Sequence, residues 1–318
     1  MSDLAEPLAG IPQNAPSERR PLRGYGLYLI AALLFAFNGT VSKFILLTGM
    51  PPERLSQLRV SAAFIILFAV VALRNREALR LHRSEVRLLL AYGVLGIAFT
   101  QWLYFVAIGH LPVGVALLIE FTAPVMVALW LRFGRGQAVQ DRVWVALGLS
   151  LLGLALVAQV WKGLTLNGIG VLAAFGAAGA LAIYYLLGER GVATRDAVSL
   201  TMWGFAAATA FWVVAAPWWT FPWDQLAGSA RVLESTSIDV PLWVLAFWMV
   251  VLGTVVPFAL SVAALRHIRA EQASVIGMVE PVLATIIAFL LLNESLAPIQ
   301  LFGGALVLVG IVLAERSR

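Results

Sequence analysis

The chain has 318 residues, 61% of them hydrophobic and 12% charged, with a formal net charge of +5 and a mean hydropathy of +0.90. Soluble domains carry about 45–50% apolar and about 25% charged residues, so composition excludes an ordinary water-soluble globule. The absence of cysteine excludes disulfides, thiolate metal sites and cysteine nucleophiles, and the arginines fall in short gaps between apolar runs, which fits membrane topology rather than a nucleic-acid-tracking face.

Residues 1–23 carry Pro7, Pro12, Pro16 and Pro21 among Ser17, Glu18, Arg19 and Arg20, and predict a disordered cytoplasmic tail. Ten apolar segments follow: 24–49, 53–73, 84–109, 112–132, 140–160, 166–188, 196–216, 241–266, 270–292 and 298–315. Each is close to the roughly 20 residues that a spanning helix needs. The first is too long for a signal-peptide core and lacks a small-residue cleavage site. Lipid offers the backbone no hydrogen-bond partners, so the segments are expected to be helices; the short alternating stretches of a β-barrel are missing. The expected fold class is all-α integral membrane, with ten transmembrane helices.

The sequence also repeats. A shift of 157 positions carries Ala107, His110, Ala116, Ile119, Pro124, Val125 and Gly153 onto Ala264, His267, Ala273, Ile276, Pro281, Val282 and Gly310, and Gly96 onto Gly253. Near the start of each copy the shift is 144, taking Gly24 and Gly26 onto Gly168 and Gly170, so an insertion is expected in the polar stretch 217–239. The halves are 24–160 and 161–318, five segments each. Five is odd, so the second half should cross the membrane inverted. Inverted repeats of this kind mark secondary transporters, whose halves rock about a site near the bilayer midplane.

Charge sets the orientation. With a cytoplasmic N-terminus, 17 of the 22 basic residues fall in cytoplasmic segments; only Arg54, Lys162 and Arg231 fall outside, and Lys43 and Arg59 lie within spans. That bias satisfies the positive-inside rule at every loop and places both termini in the cytoplasm. The aromatic stretch Pro217-Trp218-Trp219-Thr220-Phe221-Pro222-Trp223 is expected at the outer interface, as a belt or, alternatively, as a lid.

Two stretches carry a resemblance. Residues 113–129 read VGVALLIEFTAPVMVAL and 278–301 read MVEPVLATIIAFLLLNESLAPIQL; Leu58-Arg59 adds a third match. With the ten-segment pattern, they make the chain similar to the drug/metabolite transporter superfamily, specifically its EamA-type ten-helix members and, within these, the threonine/homoserine exporter branch. The resemblance covers nearly everything past residue 24. It implies export of amino acids or related small polar metabolites, or alternatively of another metabolite or drug class, across a bacterial inner membrane.

Charged groups at membrane depth are costly, about 2.5–3.5 kcal/mol each on insertion scales, and mark pathways or pairs. Lys43, Arg59, Glu120 and Glu280 qualify. At ~1.5 Å per residue, Arg59 lies ~9 Å and Glu120 ~12 Å in from the outer side, and Glu280 ~15 Å from the inner side. Two cations and two anions suit a zwitterionic substrate. The competing reading is an Arg59–Glu120 pair that only fixes packing. Lys43 is shallower and can snorkel outward, and Glu280 directly precedes Pro281 and could serve a helix break. Asn38, Gln101, Tyr104, Tyr184 and Trp203 are further candidates to line a cavity, or else to join helices. His82, His110 and His267 lie in loops or turns, so no metal site is expected; no cofactor is expected either. Pro124, Pro257 and Pro281 interrupt spans and are candidate hinges. Gly148, Gly153, Gly303, Gly304 and Gly310 permit close helix contact, within the chain or across a homodimer.

No Walker motif is present, which argues against direct ATP drive. A membrane-embedded enzyme would need a metal triad or a nucleophile with its base, and a channel would need a filter loop; the sequence offers neither. The expected partners are a small-molecule substrate and the lipid bilayer.

Overall fold

A computed structural model describes residues 20–111, 113–161, 167–233, 238–292 and 297–316. The tail expected at 1–23 falls outside them up to residue 19, as does the side chain of Lys43. Twelve helices are used below: α1 Pro21–Leu47, α2 Pro52–Arg74, α3 Arg83–His110, α4 Val113–Glu120, α5 Ala123–Leu129, α6 Asp141–Ala158, α7 Gly168–Gly191, α8 Ala197–Ala215, α9 Leu242–Ala264, α10 Ala270–Gly277, α11 Val279–Leu292 and α12 Pro298–Arg316.

Eight described helices are long and apolar enough to cross a membrane, the fourth counted as the continuous stretch Val115–Gly134. Segment 270–292 is helical but broken into α10 and α11, and α12 has a shorter apolar run, Pro298–Ala314. The breaks have a local cause. A proline removes an N–H and its ring collides with the carbonyl four residues back. Pro124 thus ends α4 at Glu120, and Pro281 ends α10 at Gly277. The repeat shift carries Phe121, in the first break, onto Met278, the residue between α10 and α11. It also relates two wide, π-helical stretches, Ala91–Ala98 and Val251–Val255, which hold Gly96 and Gly253.

The polar insertion departs from an all-helical chain. Its strands β1 Ser229–Leu233 and β2 Ile238–Pro241 pair antiparallel, with Arg231 opposite Asp239. Before them Trp218 stacks on Trp223 with centroids 5.7 Å apart, Phe221 is buried and Trp219 points outward.

Glycine sets the closest helix approaches. A Cβ on Gly153 would strike the Gly303 carbonyl, and one on Gly310 would strike Ser150, so α6 and α12 pack backbone to backbone. Two other contacts mirror each other: Gly24 at the start of α1 abuts His267 and Ile268, and Gly170 at the start of α7 abuts His110 and Leu111. Helices α2 and α8 are tied at both ends. At one, Arg54 donates to Pro217 O at 3.1 Å and to Thr220 Oγ1 at 2.5 Å, and Gln57 donates to Ala216 O at 2.5 Å. At the other, Arg195 donates to Glu85 through Nε at 3.1 Å and Nη2 at 2.8 Å, and also reaches Ala78 O, Arg80 O and Ser199 Oγ.

Candidate functional site

The helices enclose a central cavity of about 110 Å³. A water needs about 10–15 Å³ of such space, so the cavity suits a cluster of waters or one small polar molecule. Helix α1 contributes Tyr28, Phe35, Asn38, Gly39 and Ser42; α2 contributes Arg59; α3 contributes Gly96, Thr100, Gln101 and Tyr104. The broken helices bring Glu120, just before the break between α4 and α5, and Glu280, just after the break between α10 and α11, and α7 brings Tyr184 and Tyr185.

Arg59 is the best-held group in the site. It is buried, 5% exposed. Its Nε donates to Thr254 Oγ1 at 2.6 Å, Nη2 to the Gly253 carbonyl at 2.8 Å, and Nη1 to Gln101 Oε1. The Gly253 carbonyl is available for a local reason. Its helical partner would be the N–H of residue 257, and residue 257 is proline. The π-helical turn does the same for Thr254, whose hydroxyl reaches back to Met249 O at 2.8 Å while accepting from Arg59. Irregular backbone at membrane depth is tolerated where protein groups satisfy it, and here a guanidinium does so.

The Arg59–Glu120 ion pair weighed from the sequence does not form. Among the described residues no carboxylate lies within 4.0 Å of Arg59. Depth along a helix gave both residues a similar level. It carried no information about rotation, and Arg59 turns toward α3 and α9. Glu120 and Glu280 face the same cavity. Asn38 Oδ1 and Ser42 Oγ are buried beside the cavity without partners.

One face of the cavity is an aromatic layer. Tyr28 and Tyr185 share a short hydroxyl–hydroxyl bond, Tyr184 bonds Ser261 Oγ at 2.7 Å, and Tyr92 stacks on Tyr184 at 5.5 Å. Phe258 meets Phe35 edge-on at 5.1 Å.

Of the expected site residues, Asn38, Arg59, Gln101, Tyr104, Glu120, Tyr184 and Glu280 converge on this cavity. Trp203 does not line it: its indole donates to Ala78 O at 3.2 Å and its ring lies 5.9 Å from the Arg195 guanidinium, in the tie between α2 and α8. Ser42, Tyr28, Tyr185 and Thr254 were missed. Thr254 had a faint signal, since it follows a repeat-marked glycine and precedes a helix-breaking proline by three positions. Among the described residues no group of three or more His, Asp or Glu could hold a metal ion.

Comparison with known proteins gives a consistent result. The sequence profile of the EamA-like transporter family matches twice, at residues 22–159 and 168–315. The threonine/homoserine exporter RhtA of Escherichia coli strain K12 is 30% identical over 263 residues, 82% of this chain and 80% of that protein. An uncharacterized transporter of Archaeoglobus fulgidus is 25% identical over 92% of this chain and 97% of that one. A solved crystal structure superposes with a TM-score of 0.73 at 16% identity, covering 93% of this chain and 98% of the other, which speaks to the fold alone.

Proposed function

This chain belongs to the EamA-like transporter family and is a membrane transporter, not an enzyme; from that premise we propose that it exports amino acids or related small polar metabolites across the bacterial inner membrane by alternating access. The observation that carries the substrate class is the charge arrangement of the cavity. Arg59 keeps two N–H groups beyond the three bonds that hold it, and those suit a carboxylate. Glu120 and Glu280 suit an ammonium, and Asn38, Gln101, Tyr104 and Tyr184 complete the polar wall. The name of the Escherichia coli relative favours a hydroxylated amino acid.

The proposed architecture is ten spanning helices in two inverted halves, 24–160 and 161–318. The double profile match, the related helix breaks and the mirrored glycine contacts support that reading. Pro124, Pro257 and Pro281 then sit where backbone can bend during exchange between states. Both termini are cytoplasmic and the hairpin is outside. A single cysteine placed at Ser229 of this cysteine-free chain should react with an impermeant maleimide in intact cells; protection there would reverse the orientation.

Substrate class is tested in proteoliposomes. Counterflow of a labelled amino acid should saturate and vanish in Glu120→Gln and Glu280→Gln. Ohmic current without counterflow would replace the carrier with a channel.

A further inference from the structure

Cavity-lining glycines need a reason, because glycine is among the weakest helix formers. Two line this cavity, Gly96 and Gly39. Gly96 has an evident one: a Cβ there would lie 3.1 Å from the Tyr184 Cα, so a side chain would push α3 off α7. Gly39 has no such reason. It sits inside the 27-residue helix α1 with no positive φ, and a Cβ built on it meets nothing within 4 Å. Other glycines have equally open surroundings, Gly26, Gly109, Gly148 and Gly179 among them, but none of those lines the cavity. Among the described residues a Cβ at 39 meets no protein atom, and the space beside it is the cavity that Gly39 lines. Its neighbours along the same wall are Phe35, Asn38 and Ser42.

We propose that Gly39 sets the size limit of the transported molecule: its missing side chain leaves the space that the substrate's own side chain occupies. The inference rests on the cavity being the transport site. It deepens that reading by assigning the wall of α1 at Gly39 to the substrate's side chain and the Arg59 and glutamate groups to its charged ends. A pocket that loses one methylene of room discriminates by about 10–200-fold between neighbouring members of a homologous series.

The test measures counterflow of labelled alanine, threonine, leucine and phenylalanine in proteoliposomes, for the natural protein, Gly39→Ala and Gly39→Val, alongside thermal unfolding in detergent. The expected result is an unchanged or raised melting temperature in Gly39→Ala. The ratio of flux for the smallest accepted substrate to flux for the largest should rise at least tenfold. Gly39→Val should shift the cutoff further down the same series. A uniform loss or no change across the series in Gly39→Ala, or a lowered melting temperature, would overturn the proposal. If the natural protein moves none of the four amino acids, the substrate reading of the cavity fails first and this proposal with it.

Discussion

Two arginines are buried to nearly the same degree, Arg59 at 5% and Arg195 at 8% exposure, and their surroundings differ. Arg195 meets a carboxylate head-on. Both Glu85 oxygens accept from it, and two backbone carbonyls and a serine hydroxyl take up further N–H groups. Its charge is balanced and its donors are spent. Arg59 is gripped by neutral acceptors only, two side-chain oxygens and one carbonyl, while the carboxylates of Glu120 and Glu280 remain across the cavity. Taking a charge out of water costs several kcal/mol, and an immediate counter-charge offsets part of it. The cluster at Arg195 has that offset and reads as a structural tie. The cluster at Arg59 lacks it within 4.0 Å, which is the condition expected of a site that a charged ligand completes.

The largest effect should come from breaking the balanced pair. Glu85→Ala strands the Arg195 guanidinium and should cost about 3–5 kcal/mol of stability, read as a lowered melting temperature in detergent. Arg195→Met combined with Glu85→Leu should recover most of it. If the single variant is as stable as the natural protein, the contrast between the two arginines has no energetic content.

Next is Arg59→Lys. A point charge on a flexible stem cannot satisfy three acceptors and fork a carboxylate at once. Counterflow should fall about 100-fold, equivalent to about 2.7 kcal/mol, with a smaller stability loss than Glu85→Ala. Because Arg59 and Glu120 are not paired, Arg59→Met with Glu120→Gln should not restore flux. Restoration would return the pair to a packing role.

Gly253→Ala tests how the cavity wall is assembled. The new Cβ would land on the Asn38 side chain, and overpacking of this kind costs about 1–3 kcal/mol. Unchanged stability would mean that α1 and α9 are free to separate there. The smallest effect belongs to the tie at Arg54. Arg54→Gln removes hydrogen bonds at a part-exposed loop and should cost about 1 kcal/mol or less, with flux nearly intact.

How much of the site was legible depended on the kind of signal each residue left. Charges and amides inside apolar runs stand out because lipid penalises them, and five of them, Asn38, Arg59, Gln101, Glu120 and Glu280, reached the cavity together with the expected Tyr104 and Tyr184. Trp203 looked equivalent in sequence, but an indole N–H needs only one acceptor, and it found Ala78 O at the end of the bundle. Tyr28 and Tyr185 are amphipathic and unremarkable in an aromatic-rich chain. Only their meeting across α1 and α7 gives them a place at the cavity. Thr254 and the Gly253 carbonyl could not be read from residue type as ligands of Arg59, because each acquires that role from a wide helical turn and a proline.

The sequence by itself determined the membrane class, the apolar segments and their repeat, because hydrophobic length and charge bias are one-dimensional properties that the bilayer reads directly. It also located the helix breaks, since a proline acts on the carbonyl four residues behind it whatever the surroundings. Helix rotation was left to the tertiary structure. Packing of α3, α7 and α9 against α1 and α2 decided that Arg59 faces Gln101 and Gly253 instead of Glu120, that Glu120 and Glu280 share one cavity, and that Gly39 opens into it while Gly96 is pressed against Tyr184. A helix fixes the level of a side chain along its axis, but only its neighbours fix which way that side chain points.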